Sequence, residues 1–277
     1  MKAWLSGTFF LLVCVSLSPC QDGIPKLEGI VDQRDYEDSI NGCAPASLLN
    51  LLKFSDPDYR EIYDSYVGST DGARIRSIVN RYFKGRPSVV YPDRRRWGVH
   101  GIEGADLVTG LNELLADHEL PPLNATYLER GEKETRAAHI QRCHDLISTS
   151  LENGVLPILG IRSYIVRRRE KNGMEPVWEA GLYHNVVVHS VLRPPSYTGF
   201  EITVLEPYRG IATSAYLHRE GNRQAFRALK GLEKEENWLD GEPFLQIVAP
   251  DLPTVRPLDL KWSDRIVIVA TFLIGDF

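Results

Sequence analysis

The sequence predicts an α+β protein in which helices come first and strands follow. Apolar residues recur at helical spacing up to Gly154, and short apolar runs bounded by glycine and proline replace them afterwards. The 277 residues are 43% hydrophobic and 25% charged, which excludes collagen-like, low-complexity and largely disordered chains. The net charge of -5 argues against a nucleic-acid partner. We expect one domain over residues 21–277, with a helical lobe at about 30–154 and a β lobe at about 155–277.

Five apolar stripes in the first half of the chain predict helices. They cover Leu48–Leu52, Tyr59–Tyr66, Ile75–Phe83, Leu107–Leu115 and Ile140–Leu151. Pro45 suits the first turn of the first helix, because proline lacks the N–H that an early helical residue leaves unpaired. Asn153 and Gly154 end the fifth helix, since glycine readily takes the left-handed conformation found after helices.

Six short apolar runs in the second half predict β-strands. They are Val155–Ile161, Leu182–Leu192, Phe200–Leu205, Thr213–Leu217, Phe244–Ala249 and Arg265–Ile274. One predicted helix, around Asn222 to Lys230, interrupts them. The apolar stretch within the last run is too short to cross a bilayer, which takes about 20 residues, so no stable membrane span is expected.

Residues 1–20 have the pattern of a secretory signal peptide. Lys2 supplies the positive start, Phe9–Leu17 the apolar core, and Cys20 a small residue at the point of cleavage. We therefore predict an exported protein, whether secreted, periplasmic or at the cell surface. A lipoprotein anchored through Cys20 ranks second, because Pro19 interrupts the acylation motif, and an uncleaved N-terminal helix ranks third.

Four cysteines are too few for a disulfide-built scaffold in a chain of this length. Export would remove Cys14 and Cys20, so that only Cys43 and Cys143 remain. In an oxidising compartment these two could pair, and that disulfide is the alternative to any chemical role for Cys43.

Cys43 has the surroundings of a nucleophile. It stands immediately before an apolar helix, where the positive end of the helix favours a thiolate over a thiol. His184 lies about 140 residues further on, within the interval of about 130–150 residues found in papain-like Cys/His pairs. Strand alternation points His184 and His189 to opposite faces, so at most one of them faces Cys43. We predict His184 as the base and keep His189 as the alternative.

Two further side chains complete the predicted catalytic site. Glu206, at the end of the next strand, can orient the imidazole of His184 and stabilise its cation. Gln33, ahead of Cys43, can supply an amide donor to an oxyanion, and one such donor is typically worth about 100–1000-fold in rate. The predicted site therefore consists of Cys43, His184, Glu206 and Gln33.

A metal site on the fifth helix is the main competing use of cysteine and histidine. His139 and Cys143 share a helix face, but His144 points about 100° away and no fourth ligand is near. We therefore predict no metal and no cofactor, and place Cys143 in the core. The arginine runs at 94–96 and 167–169 are expected to be solvated.

In their order along the chain, these residues resemble the papain-like clan of cysteine peptidases and, more narrowly, its C39-like branch. The matching stretches are Gln33, Cys43-Ala44-Pro45-Ala46-Ser47, His184-Asn185-Val186-Val187-Val188 and Glu206-Pro207-Tyr208-Arg209-Gly210. The resemblance implies a papain-like two-lobed fold. Its N-terminal helical lobe would carry the cysteine, its C-terminal antiparallel β-sheet lobe the histidine and the acid, and the cleft between them the substrate.

The resemblance and the site together predict an exported cysteine peptidase that acts on a peptide or protein substrate. Ala44 and Glu206 depart from the residues usual in the family, so a catalytically inactive binding module on the same fold is one alternative. An amidase or acyltransferase that uses the same Cys/His pair is another. The sequence assigns no oligomeric state.

Overall fold

The computed structural model of the chain describes residues 27–66, 70–99, 101–167, 177–219, 224–227, 236–239, 244–249, 251–252 and 265–277. The predicted export segment, residues 1–20, lies outside the described residues.

Five α-helices occupy the first half of the chain, where the apolar stripes predict them. They are α1 (Cys43–Phe54), α2 (Pro57–Ser65), α3 (Asp71–Ile78), α4 (Gly104–Ala116) and α5 (Arg136–Glu152), and a π-helical turn at Val79–Phe83 extends α3. All five predicted helices are confirmed. After α5, Gly154 has a φ of +77°, a left-handed backbone conformation that favours glycine. None of the helices that the structure describes is long and apolar enough to cross a membrane.

The strands of the described segments form one sheet. They are β1 (Asn124–Tyr127), β2 (Ile158–Arg167), β3 (Val177–Val191), β4 (Gly199–Glu206), β5 (Ile211–His218), β6 (Gln224–Arg227), β7 (Glu236–Leu239), β8 (Leu245–Val248) and β9 (Arg265–Gly275). Antiparallel pairing runs from β2 through β3, β4, β5, β8 and β9 and back to β2. These six strands therefore close into a barrel. β1 extends it beside β9, and β6 with β7 extends it beside β3.

The prediction of a papain-like two-lobed fold is wrong. The strands do not build a separate β-sheet lobe, because β9 returns to β2 and pairs with it from Ile158–Ile274 to Val166–Arg265, which closes the barrel. The apolar runs in the sequence mark where strands form but not which strands become neighbours. Closure also leaves these six strands without a free edge, which an open sheet would expose.

The predicted helix around Asn222–Lys230 is also wrong where the structure describes that region. Residues Gln224–Arg227 form β6, which lies parallel to Val177–Glu179 of β3 and antiparallel to β7. A short apolar pattern does not separate helix from strand, and here the pairing with distant residues decides for the strand.

Two apolar clusters pack on the two faces of the sheet. One draws on all six barrel strands and on α5, and it includes Val186 and Val188 of β3. The other packs α1 to α4 against the opposite face, and it includes Val187, because successive strand residues point to opposite sides. Helix α1 consequently lies against β3, so the start of this helix is close to the strand that carries His184.

Candidate active site

The predicted nucleophile, Cys43, is the first residue of α1 and is partly exposed. The nine residues that follow it in the helix are all buried, which fixes α1 against the sheet. One turn after Cys43, the hydroxyl of Ser47 donates a 2.9 Å hydrogen bond to the backbone carbonyl of Asn185 in β3. The start of α1 is therefore anchored beside β3, and its unpaired N–H groups place a partial positive charge near the sulfur.

His184 and Glu206 meet at the ends of neighbouring strands. His184 is buried in β3, and its Nε2 lies 2.8 Å from Oε1 of Glu206, the last residue of β4. The imidazole of His184 also interacts with the thiol of Cys43, since each of the two groups shifts the pKa of the other. Because Glu206 occupies Nε2, the nitrogen left for the sulfur is Nδ1. The structure thus joins Cys43, His184 and Glu206 in one chain of contacts.

Glu206 is fully buried, and the turn after β4 holds its carboxylate in place. Oε1 accepts a hydrogen bond from the backbone N–H of Tyr208 at 2.7 Å, and Oε2 accepts one from that of Arg209 at 2.9 Å. These bonds compensate the burial of a charged group and fix the direction from which it meets His184. The Glu206 side chain folds back over the turn that follows β4, and in this position its carboxylate reaches His184.

The charges of the three groups depend on one another. Burial raises the pKa of the Cys43 thiol, but the hydrogen bond and charge of His184, together with hydrogen bonds from Asn185, outweigh it and hold this pKa below its ordinary value. Burial lowers the pKa of His184, but hydrogen bonds to Cys43 and Glu206 and their charges raise it to about 9. The arrangement therefore favours a thiolate beside an imidazolium, which is the reactive form of such a pair.

Gln33 lies beside the loop that leads into α1, but its amide is already engaged. Its Nε2 donates a 2.6 Å hydrogen bond to the backbone carbonyl of Ser39, and its Cβ packs near Gly42. Its backbone N–H donates to the carbonyl of Pro207 at 2.7 Å, which ties this segment to the turn that holds Glu206. One N–H of the amide remains for a substrate, so the oxyanion role of Gln33 stays a prediction.

Asn185 is a member of the site that sequence reasoning missed. Its Nδ2 donates to the sulfur of Cys43 across 3.8 Å, and its side chain is buried. Among the residues that the structure describes, none donates to its Oδ1, and leaving such an atom unpaired costs about 1–3 kcal/mol. The only available sequence signal was its position next to His184, because an asparagine in a strand has no motif of its own.

The remaining cysteine and histidine residues do not join this site. Cys43 and Cys143 are both free, so the alternative of a disulfide between them is wrong. His189 lies further along β3, where burial lowers its pKa, and its Nδ1 has no hydrogen-bond partner among the described residues. Cys143 is fully buried in the apolar cluster around α5, as predicted.

The surroundings of α5 are structural. His139 is buried, and its Nε2 lies 2.8 Å from the carbonyl of Leu128, while the ring of His144 stands edge-on against Phe200. Within the described ranges, no three side chains of histidine, cysteine, aspartate or glutamate converge as a metal would require.

A cavity of about 350 Å³ lies in the loop region before α4. Its walls include Tyr91, Arg94 and Trp97. Trp97 packs edge-on against Tyr36, so the loop lies beside the segment that precedes Cys43. The neighbouring Arg96 is buried and binds Glu113 through two hydrogen bonds of 2.8 and 2.9 Å, so the prediction that this arginine is solvated is wrong.

No family model, no curated protein and no solved structure matches this chain. The resemblance to the C39-like peptidases therefore remains a prediction that rests on the order and type of the quoted residues. The geometry of the site is that of a cysteine at the start of a helix with a histidine and a buried acid.

Proposed function

We propose that the protein is a cysteine-dependent hydrolase that cleaves peptide bonds. The observation that carries the proposal is the contact chain from the Cys43 thiol through the His184 imidazole to the Glu206 carboxylate. A cysteine before a helix is usually a core residue, so its position alone would carry little weight. A partly exposed thiol with an ordered base and a buried orienting acid has the features of an activated nucleophile.

Each group has a defined part in the proposed reaction. The Cys43 thiolate attacks the carbonyl carbon, and the electron pair of the C=O bond moves to oxygen. His184, as imidazolium, gives its proton to the leaving amine as the C–N bond breaks, which leaves a thioester on Cys43. His184 then takes a proton from water, the hydroxide attacks the thioester, and the thiolate leaves as the acid product forms.

Glu206 and the start of α1 support the charges that develop during these steps. The carboxylate of Glu206 stabilises the imidazolium and holds the ring in one orientation, because its own oxygens are fixed by the following turn. The negative oxygen of the tetrahedral intermediate would lie near the unpaired N–H groups of the helix start. The free N–H of the Gln33 amide is the proposed second donor.

The geometry argues against a silent binding module. Such a module would be favoured if the Cys43 sulfur were out of reach of both His184 and His189, whereas the thiol and the His184 imidazole are close enough to shift each other's pKa. The departures at Ala44 and Glu206 are also accommodated: Ala44 is buried within α1, and Glu206 reaches His184. Amidase and acyltransferase chemistry would use the same groups, so the reaction products must separate them from peptide hydrolysis.

The proposal is tested by incubating the purified chain with a mixture of unstructured peptides and identifying the new termini by mass spectrometry. We expect cleavage by the wild type and by Cys143→Ala, and none by Cys43→Ala. An added amine acceptor distinguishes hydrolysis from acyl transfer, because the acceptor would appear in the product. Equal product formation by the wild type and Cys43→Ala would contradict the proposal, and so would the absence of cleavage by both together with an unreactive Cys43.

The export of this hydrolase is also a proposal, supported by the pattern of residues 1–20. It is tested by the amino terminus of the protein recovered from cells. A chain that begins at Gln21 supports cleavage by a signal peptidase. A lipid-modified Cys20 supports anchoring, and a chain that retains residues 1–20 contradicts both.

A further inference from the structure

Asn185 contacts the proposed nucleophile, Cys43, through the polar end of its side chain. The residue follows His184 in β3, and its side chain is 1% exposed. Its Nδ2 donates to Sγ of Cys43 at 3.8 Å, within the range of hydrogen bonds to the large sulfur atom. The backbone of Asn185 also contributes to lowering the pKa of Cys43.

The position of Asn185 is fixed by two elements at once. Its backbone pairs with Gly160 of β2, and its carbonyl accepts the hydrogen bond from Ser47 of α1. Ser47 and Cys43 are four residues apart, so they lie on the same side of α1. The helix therefore contacts Asn185 at two points one turn apart, and this fixes the distance between the carboxamide and the sulfur.

The contacts of the carboxamide favour the ionised form of Cys43. Nδ2 can only donate, and its hydrogen bond to an ionised sulfur is stronger than its bond to a neutral thiol, which is a weak acceptor, so it favours the thiolate. The opposite orientation of the amide would turn Oδ1 toward a negative sulfur. In the observed orientation, Oδ1 is buried and accepts no hydrogen bond from any described residue, so the carboxamide is not optimised for stability.

A second buried asparagine shows what a structural role looks like in this chain. Asn50, on the same helix as Cys43, uses both ends of its amide: Oδ1 accepts from the N–H of Val31 at 2.8 Å, and Nδ2 donates to its carbonyl at 3.2 Å. Asn185 satisfies only the end that faces the sulfur. The contrast indicates that the sulfur is the reason for an amide at position 185.

We propose that Asn185 is a further catalytic residue, which donates a hydrogen bond from Nδ2 to the Cys43 thiolate and increases the fraction of Cys43 that is ionised. The inference rests on the proposed function, since it concerns the nucleophile of that reaction. His184 supplies the counter-charge and exchanges the proton, whereas Asn185 stabilises the thiolate without exchanging a proton. It also deepens the proposed function by assigning two amides to the site, with Gln33 on the substrate side and Asn185 on the sulfur side.

The test is the pH dependence of alkylation of Cys43 by iodoacetamide, measured peptide by peptide with mass spectrometry. Asn185→Leu removes the donor with little change in volume, and we expect the apparent pKa of Cys43 to rise by about one unit. A more basic thiolate is also more nucleophilic, with a Brønsted slope of about 0.4–0.5. The rate should therefore fall about threefold well below the pKa and rise about threefold on the alkaline plateau.

The crossing of the two rate profiles separates this role from a structural one. A loosened site would change the rate in one direction across the whole pH range, but removing a thiolate donor changes it in opposite directions at the two ends. Thr203→Val is the matched control, because it also removes a buried oxygen that has no partner among the described residues. Its profile should coincide with that of the wild type. If Asn185→Leu does not fold, Asn185→Ala provides the same comparison.

The outcomes distinguish the inference from the proposed function. A wild-type Cys43 that reacts faster than Cys143, together with an unchanged profile in Asn185→Leu, overturns the role of Asn185 alone. A wild-type Cys43 that reacts no faster than Cys143 overturns the proposed function and this role with it. A change confined to the melting temperature would show that Asn185 is structural.

Discussion

The regions around the two cysteines combine the same residue types with opposite results. Cys43 begins α1, is partly exposed and contacts His184, whereas Cys143 lies in the middle of α5 and is fully buried in an apolar cluster. Burial raises the pKa of Cys143 to about 12, while His184 and Asn185 outweigh burial at Cys43 and lower its pKa. The pKa of each thiol in this protein therefore depends on its polar partners.

The histidines of the two regions differ in the same way. His184 contacts a carboxylate and a thiol, and its pKa is raised to about 9 despite burial. His139, four residues before Cys143 in α5, is also buried, but its Nε2 lies against the backbone carbonyl of Leu128, and burial lowers its pKa. The lowered pKa of His139 and the raised pKa of Cys143 keep both groups neutral, so α5 carries no thiolate–imidazolium pair.

Exchanging each histidine for phenylalanine should give the largest difference between the two regions. We expect His184→Phe to lower kcat/KM by at least about 10,000-fold, because the loss of one member of such a unit nearly equals the loss of all. His139→Phe should leave kcat/KM within about twofold. Peptide hydrolysis by the two purified variants checks this, and similar losses in both would remove the distinction between the regions.

Neutralising the acid should have the next largest effect. Glu206→Gln keeps the size of the side chain but removes the charge that stabilises the His184 imidazolium, so we expect kcat to fall by about 1,000- to 10,000-fold. Glu201→Gln is the matched control, since Glu201 lies in the same strand but faces Arg193 at 3.8 Å. Steady-state kinetics should show a normal rate for the control, and an unchanged rate in Glu206→Gln would contradict the triad.

The pH profile of kcat/KM should report the titration of Cys43 and of His184. Activity needs Cys43 as thiolate and His184 as imidazolium. It is therefore lost as the pH falls through the lowered pKa of Cys43 and as it rises through the pKa of about 9 of His184. We expect a bell-shaped curve whose alkaline limb is near pH 9. A profile that follows one group near pH 6.5 would show an isolated histidine in place of the ion pair.

The effect expected of His139, in the region around Cys143, is smaller. It concerns the free energy of unfolding, which should fall at acidic pH. Because the folded pKa of His139 lies below its unfolded value of about 6.5, the folded protein resists protonation, and stability is lost as the pH falls below about 6.5. The slope from this one group is at most about 1.4 kcal/mol per pH unit. Urea denaturation at pH 5 and pH 7.5 should show a smaller difference for His139→Phe than for the wild type. An equal difference would assign the effect to other groups.

Local patterns were enough to predict the five helices of the first half of the chain and the three residues that meet at the site. The apolar stripe after Cys43 and the strand runs containing His184 and preceding Glu206 are local properties of the chain. Closure of the barrel was not predictable in this way. It depends on β2 meeting β9 across about 100 residues, and neither apolar run specifies its partner.

The hydrogen bonds of Gln33 and Asn185 could not be predicted from the spacing of residues along the sequence. The amide of Gln33 binds the carbonyl of Ser39, a contact set by the path of the loop before α1. The amide of Asn185 faces the sulfur because α1 packs on that face of β3. Residue type and order thus predicted which groups could react, and packing determined which atoms they present to each other.

The most direct test of the central difference is competitive alkylation of the two free cysteines in the native wild-type protein. Iodoacetamide at limiting concentration is applied between pH 5 and pH 9, and the modification of Cys43 and Cys143 is quantified separately. We predict that Cys43 is modified from mildly acidic pH onward, and that Cys143 reacts only after denaturation. Equal rates for the two cysteines in the folded protein, or modification of Cys43 only above its ordinary pKa, would contradict the account.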